Sequence, residues 1–164
     1  RENNKFYITD LKLEKKYDIV FTSYGVLCWL RDLNRWGEIV SHFLKPGGVF
    51  YIVEFHPITT MLDENGEKFE FPYFHSSDAV RYETEGSYAG GVKGSPHEAY
   101  EWPFGIGDVV NALAKTGLKI EFLHEFPYNN YCFFPYTKEI APGRYTHPGI
   151  NHELPHMFSI RAVK

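Results

Sequence analysis

Apolar and polar positions in the first third of the chain predict a strand, a helix and a second strand. Residues 18–23 form an apolar, β-branched run that is typical of a strand buried in a parallel sheet. Apolar side chains then recur at helical spacing over residues 33–44, and Asp32 stands where it can cap that helix. Lys-Pro-Gly-Gly at residues 45–48 ends the helix, because proline has no N–H to donate and glycine tolerates a left-handed turn. With a further apolar run at residues 49–55, this order predicts one right-handed βαβ unit.

The last third of the chain predicts another helix and two more strands. Asp108 can cap a helix that Thr-Gly at residues 116–117 brings to an end. The buried stripe of this helix is predicted to contain Val109, Val110, Leu113 and Ala114. Residues 118–123 alternate between apolar and polar positions, which indicates a strand with one covered face. Residues 155–164 predict a final strand, after an irregular, aromatic and proline-rich connection over residues 126–154.

Residues 56–103 lie between these two blocks and have a pattern of their own. Asn-Gly at residues 65–66 signals a tight turn. Residues 71–75 and 80–85 alternate aromatic or apolar with polar positions, which predicts two half-buried strands. The glycine-rich residues 90–94 lack the Gly-Lys-Ser/Thr ending of a phosphate-binding loop and indicate a flexible loop. The segment is therefore predicted to be a β-rich insertion.

Composition limits the classes of protein to consider. With 164 residues the chain has the length of one domain. Its formal charge is −4 and its Lys and Arg residues form no cluster, so a nucleic-acid-binding surface is not expected. No apolar run reaches the roughly 18 residues that span a bilayer, and the N-terminus lacks the apolar region of a signal peptide. Cys28 and Cys132 match no metal or redox spacing, which favours reduced thiols and a cytoplasmic location.

Several parts of this pattern together resemble a known family. The strand at residues 18–23, the small-residue loop at 25–27 and Leu-Lys-Pro-Gly-Gly at 44–48 resemble the fourth and fifth strands of class I S-adenosylmethionine-dependent methyltransferases. Residues 108–127 resemble the last helix and sixth strand of that family, and residues 155–164 its antiparallel seventh strand, inserted between the fifth and sixth. The resemblance implies an α/β, Rossmann-like sheet, S-adenosylmethionine as cofactor and methyl transfer to a small molecule, as in type 11/12-like members.

The resemblance covers only part of the family's domain. The Gly-rich turn after the family's first strand and the acidic residue after its second have no counterpart in this sequence. Residues 1–164 thus resemble the C-terminal two thirds of one methyltransferase domain, in which residues 5–9 correspond to the third strand and residues 56–103 to a substrate lid. The chain by itself is expected to be inactive. The strand at residues 18–23 would be an exposed apolar edge. This predicts preceding residues that are disordered or on another chain, a homodimer paired through this edge, or strand exchange with a neighbour.

The same resemblance implies two sets of site residues. The residues expected to contact the cofactor are Asp10, Leu11, Ser23, Tyr24, Gly25 and Leu27. The residues expected in the substrate pocket are His56, Tyr73, His75, Tyr88 and Trp102. No catalytic residue is assigned, although His56 and His75 are the candidates for a general base toward an oxygen acceptor.

Other interpretations stay open at this point. His147, His152 and His156 raise the question of a metal, but Pro148 and Pro155 interrupt any helix that would align them, and no metal site is predicted. A nicotinamide-dependent oxidoreductase fragment would share a doubly wound sheet, and it too would need a Gly-rich fingerprint. A ligand-binding module without catalysis could use the aromatic insertion as a pocket.

Overall fold

The computed structural model describes residues 14–84, 97–132, 134–149 and 154–164. The predicted strand at residues 5–9 lies outside these ranges. The strands, in chain order, are β1 (Tyr17–Thr22), β2 (Leu44–Phe55), β3 (Val80–Thr84), β4 (His97–Glu101), β5 (Lys119–Phe126), β6 (Lys138–Ala141), β7 (Arg144–Thr146) and β8 (Met157–Val163). The α-helices are α1 (Leu33–Phe43), α2 (Pro57–Thr60) and α3 (Ile106–Ala114), and a short 3-10 helix spans Leu27–Trp29.

The central sheet has four strands in the order β1-β2-β8-β5. β1 and β2 run parallel, and α1 forms the crossover between them. β8 is antiparallel to both of its neighbours, with Ile160 opposite Ile52 of β2 and Leu123 of β5. The last strand of the chain therefore lies between β2 and β5, which confirms the predicted position of the final strand.

One face of the sheet carries the main hydrophobic core. Phe50 and Ile52 of β2 and Ile160 of β8 are fully buried, and they belong to one cluster with side chains of α1 and α3. Asp32 caps α1 as predicted, since its carboxylate accepts hydrogen bonds from the backbone N–H groups of Asn34 and Arg35. The two helices pack closely at Gly37, where an added Cβ would lie 2.4 Å from the carbonyl oxygen of Ala112.

The edge strand β1 has different surroundings on its two sides. Val20 packs against the core, whereas Ile19 and Phe21 point the other way and are 68% and 57% exposed. The Phe21 ring stacks on that of Tyr51 in β2, with 6.1 Å between the centroids. Among the described residues, β2 is the only strand that pairs with β1, and β1 is an edge strand of the sheet in that part of the chain.

Helix α3 begins earlier than the sequence predicts. Gly105 is the N-cap, and Asp108 lies in the first turn, where its carboxylate accepts a hydrogen bond from the Gly105 N–H at 3.0 Å. The prediction that Asp108 is the cap residue is therefore wrong by one turn. Ala114, predicted to be buried, is exposed, and Ala112 takes its place in the stripe beside Val109 and Leu113. Gly117 ends the segment with a φ of +82°, as predicted.

The insertion and the later connection also depart from the predictions. Residues 71–75 form no strand, because Pro72 cannot donate to a strand ladder. β3 pairs instead with β4, which was not predicted. Within the supposedly irregular residues 126–154, β6 and β7 form a hairpin whose turn contains Gly143 at a φ of +67°. In the part of the chain that the structure describes, every helix is too short or too polar to cross a membrane.

Candidate active site

A cavity of about 880 Å³ opens at the carboxyl ends of β1 and β2. Its walls come from the loop after β1, the end of β2, the insertion and the start of α3. Ligands of open α/β sheets bind at this edge, because the loops that follow parallel strands leave a crevice there. The volume lies in the range of small-molecule pockets, about 300–1,000 Å³.

The loop that forms one wall of the cavity is held by a single buried carboxylate, that of Glu54 at the end of β2. Its Oε1 accepts hydrogen bonds from the backbone N–H groups of Gly25 at 2.5 Å and Phe55 at 2.8 Å. Its Oε2 accepts from Val26 at 2.8 Å and Leu27 at 3.3 Å. Burial raises the pKa of Glu54, while the four N–H donors favour the ionised form and oppose that shift. Glu54 therefore fixes the loop relative to the sheet.

Gly25 is the residue that permits this arrangement of the loop. Its φ of +71° lies in the left-handed region, where a side chain would be strained. Steric crowding does not explain why this residue is glycine, because an added Cβ would lie at an ordinary contact distance of 3.6 Å from the Phe55 ring. The turn aims successive N–H groups at Glu54, and it leaves Tyr24 and Leu27 lining the cavity.

The β3–β4 hairpin covers the cavity and has two chemically different faces. Tyr82 and Glu101 lie on one face, by strand register, and both line the cavity. Arg81 and Glu98 lie on the opposite face, where they form an ion pair and are exposed. The hairpin is tied to the loop after β1, because the N–H of Trp102 donates to the carbonyl oxygen of Cys28 at 2.8 Å.

Carboxyl side chains outnumber basic side chains in the cavity wall. Among the described residues, the acidic ones are Glu54, Asp63, Glu64, Glu70 and Glu101, and the basic one is Lys68. Burial raises the pKa of Glu101. Burial also raises the pKa of the Cys28 thiol, and the carboxylates of Glu101 and Glu54 act in the same direction. Cys28 is therefore a protonated, poorly nucleophilic thiol at neutral pH.

The structure brings four of the predicted site residues together. Tyr24, Gly25 and Leu27 of the predicted cofactor set and Trp102 of the predicted substrate set all line the cavity. Ser23 directly follows β1 and is exposed, outside the cavity wall. Asp10, Leu11 and Tyr88 lie outside the described residues.

His56 and Tyr73, both predicted in the substrate pocket, are held elsewhere. His56 is buried at the start of α2, where its Nδ1 accepts from the Ile58 N–H at 3.2 Å and its Nε2 lies 2.8 Å from Glu125. Both ring nitrogens thus have partners outside the cavity. The Tyr73 hydroxyl accepts a hydrogen bond from the Ile106 N–H at 3.2 Å, at the start of α3.

His75 lies at a separate, smaller depression of about 580 Å³ near the starts of α1 and α3. Its ring stacks on that of Phe104, with 4.3 Å between the centroids, and its Nδ1 is 3.2 Å from the Pro103 carbonyl oxygen. The structure therefore places the two candidate general bases, His56 and His75, outside the larger cavity.

The two carboxylates on which the site most depends, those of Glu54 and Glu101, were not predicted as site residues. The sequence does contain a signal that Glu54 has a special role, because it is the one charged residue within the apolar run of residues 49–55. Glu101 has no comparable signal, because it follows a polar segment and its position depends on the pairing of β3 with β4.

Histidines do not gather into a metal site in the described ranges. No group of three or more His, Cys, Asp or Glu side chains there is arranged to hold an ion. His156 is fully buried, and its Nε2 accepts from the His147 N–H at 3.2 Å. His152 lies outside the described residues.

Solved structures with the same fold are S-adenosylmethionine-dependent methyltransferases. The enzyme from Mesorhizobium loti has a TM-score of 0.52 at 16% identity, over 93% of this chain and 66% of the other. The enzyme from Clostridium acetobutylicum has a TM-score of 0.53 at 12% identity, over 96% and 62%. A Listeria monocytogenes protein assigned to the same class has a TM-score of 0.54 at 19% identity, over 92% and 62%.

These comparisons establish the fold of the chain. It is the Rossmann-like fold of class I methyltransferases, as the resemblance in the sequence predicted. The chain spans about two thirds or less of the length of these structures. No protein-family model matches the sequence, and no curated protein matches it either.

Proposed function

We propose that the protein to which this chain belongs transfers a methyl group from S-adenosylmethionine to a small-molecule acceptor. The observation that carries this proposal is the cavity at the carboxyl ends of β1 and β2, beside a loop fixed by Glu54. The methyltransferase fold of the chain supports it.

The loop after β1 fits one end of the cofactor. Tyr24 offers a hydroxyl, Leu27 an apolar surface, and Gly25 a backbone that a ligand can approach without a side chain in between. In the proposal these three residues hold the methionine part of S-adenosylmethionine. Asp10 and Leu11, predicted to contact the adenine, remain part of the proposal on the sequence alone.

The cofactor supplies an activated methyl group, so the protein's task is mainly to position the acceptor and exclude water. One side of the site is the loop after β1, where the Glu54 carboxylate lies 2.5 Å from the Gly25 nitrogen. The insertion covers the other side through Phe71, Tyr82 and Trp102, which all line the cavity. Such a site needs no nucleophilic side chain, which agrees with the protonated state of Cys28.

The shape and charge of the cavity favour a small acceptor over a macromolecule. The insertion covers the cavity with aromatic side chains, as in pockets for organic ligands. A nucleic acid needs a basic surface, whereas acidic groups dominate this wall. We therefore infer that the methyl acceptor is a small organic molecule.

The test is transfer of a tritiated methyl group from labelled S-adenosylmethionine to a metabolite extract. The protein is used with any residues that its natural sequence has ahead of Arg1, beside a heat-denatured control. We expect label in the low-molecular-weight fraction, and suppression of that label by excess S-adenosylhomocysteine. Label confined to protein or nucleic acid would contradict the small acceptor, and cofactor binding without transfer to any fraction would favour a ligand-binding module.

A further inference from the structure

We propose that the cavity recognises a cationic amine on the acceptor and that Glu101 is the counter-ion of this amine. The inference rests on the proposed function in one respect, because it takes the side of the cavity formed by Tyr82, Glu101 and Trp102 to hold the acceptor, opposite the loop that holds the methyl donor. It goes further by naming the chemical class of the acceptor. The amine need not be the atom that receives the methyl group.

The first observation is the position of Glu101 among the acidic residues of the hairpin. Glu83 and Glu98 lie on the outer face of β3 and β4, where both contact Arg81 and are exposed. Glu101 lies on the inner face with Tyr82 and lines the cavity. The described part of the chain offers its carboxylate no hydrogen bond and no ion pair. Glu101 is thus a half-buried acid, and the described residues provide neither a cation nor a hydrogen-bond donor for its carboxylate.

The second observation is what burial does to such a group. An isolated carboxylate away from water is costly unless a cation or hydrogen-bond donors compensate it. Burial raises the pKa of Glu101, and no neighbouring basic group opposes that shift. A ligand ammonium group would provide both a positive charge and N–H donors.

The third observation is the charge of the whole wall. Glu54 accepts four backbone N–H groups and Asp63 accepts two, and these carboxylates lie in the same wall as Glu64, Glu70 and Glu101. Together they produce one negative field. Lys68 is the basic residue that faces them among the described residues. A cleft lined mainly by one sign of charge concentrates ligands of the opposite sign. Anionic acceptors are accordingly disfavoured.

The fourth observation is the aromatic surface next to Glu101. Trp102 follows it directly in the chain, and Tyr82 shares its face of the hairpin. Phe71 lines the same cavity. Aromatic faces attract ammonium groups and also bury the apolar part of an organic amine. An acid beside aromatic rings therefore suits an amine that carries an apolar body.

The experiment compares three probes of similar size that differ in charge: 2-phenylethylamine, 2-phenylethanol and phenylacetate. Binding is measured by calorimetry on the whole protein in the presence of S-adenosylhomocysteine. We expect the ammonium probe to bind about tenfold or more tightly than the neutral probe, and phenylacetate to bind least. Equal affinities of the unaltered protein for the three probes would overturn the proposal. Absence of binding of the ammonium probe would overturn it as well.

The matched variants are Glu101→Gln on the inner face and Glu83→Gln on the outer face of the same hairpin. Glu101→Gln should lose the preference for the ammonium probe, while Glu83→Gln should retain it. An unchanged preference in Glu101→Gln would overturn the role of Glu101. Titration with S-adenosylhomocysteine on the same samples separates the two claims. If S-adenosylhomocysteine does not bind but the ammonium probe is still preferred, the methyltransferase proposal is rejected and the amine site is retained.

Discussion

The carboxylate of Glu54 accepts a hydrogen bond from the Gly25 N–H across 2.5 Å, and this contact joins the end of β2 to the loop after β1. Each Glu54 oxygen accepts two backbone N–H groups, so the carboxylate is matched to four donors that only an unprotonated acid can satisfy together. The loop owes its place beside the cavity to this residue.

Replacement of Glu54 by Gln should therefore be costly. The amide NH₂ would face two of the four N–H groups, and the donors left without an acceptor would be buried. We expect the free energy of unfolding to fall by about 2–4 kcal/mol, measured by denaturant titration. The control is Glu38→Gln, which breaks an exposed ion pair with Arg35 and should cost about 1 kcal/mol or less. Equal effects of the two substitutions would contradict the role given to Glu54.

Two helical glycines should respond in opposite ways to alanine. Gly37→Ala would place Cβ 2.4 Å from the carbonyl oxygen of Ala112, so α1 and α3 would have to move apart. We expect a loss of about 1–3 kcal/mol in the free energy of unfolding. Gly107 in α3 has no atom within 4 Å of an added Cβ, so Gly107→Ala should gain up to about 1 kcal/mol. Thermal or urea unfolding of the two variants checks the sign, and a stabilised Gly37→Ala would show that the helices do not pack as described.

The buried His156 predicts that the protein loses stability in mild acid. Burial lowers the pKa of His156 to about 4, and His147 and His56 reinforce the shift. The unfolded chain takes up this proton near pH 6.5, so the free energy of unfolding is highest above that pH and falls as the pH drops toward 4. By pH 5 the loss from this group should be about 2 kcal/mol.

Urea unfolding at neutral pH and at pH 5 tests this prediction. The matched variant is His156→Gln, which offers an oxygen in place of the Nε2 acceptor toward the His147 N–H but does not titrate. We expect a weaker pH dependence in the variant, with a remainder from His56, whose pKa burial also lowers. The same pH dependence in both proteins would count against His156 as its origin.

The exposed side of β1 predicts self-association. Ile19 is 68% exposed on an edge strand, and Ile19→Lys places a charge where another strand would pair. Sedimentation over a range of protein concentrations should show less association for this variant. Ile140→Lys is the control, since Ile140 is similarly exposed, at 61%, but lies in the short β6–β7 hairpin. If both variants associate like the unaltered protein, the β1 edge is not the contact surface.

The sequence predicted the elements whose signals are local. Asp32 marks the start of α1 because capping depends on neighbouring residues. Lys-Pro-Gly-Gly does follow the end of α1, but these residues belong to β2, which begins at Leu44, and do not form the predicted turn ahead of the strand. The position of β8 was predicted only through the family resemblance, since a strand's place in a sheet depends on residues far away in the chain. The β3–β4 and β6–β7 pairs were missed or only half predicted for the same reason.

The candidate site shows the same difference between features that depend on neighbouring residues and features that depend on residues far away in the chain. Tyr24, Gly25 and Leu27 could be placed because they directly follow a strand that was itself predictable. His56 and His75 lie outside the cavity, because a histidine's surroundings depend on the tertiary contacts that hold its ring, here with Glu125 and Phe104. Glu101 reaches the cavity only through a strand pairing that its own sequence does not signal.

The central claim is that the cavity and the loop fixed by Glu54 bind the methyl donor. Calorimetric titration with S-adenosylhomocysteine tests it most directly, on the 164-residue chain and on the protein with any residues that its natural sequence has ahead of Arg1. We predict saturable binding by the latter protein, weakened about tenfold or more by Glu54→Gln and unchanged by Glu38→Gln. Absence of binding by both proteins, or equal affinity in all variants, would contradict the account.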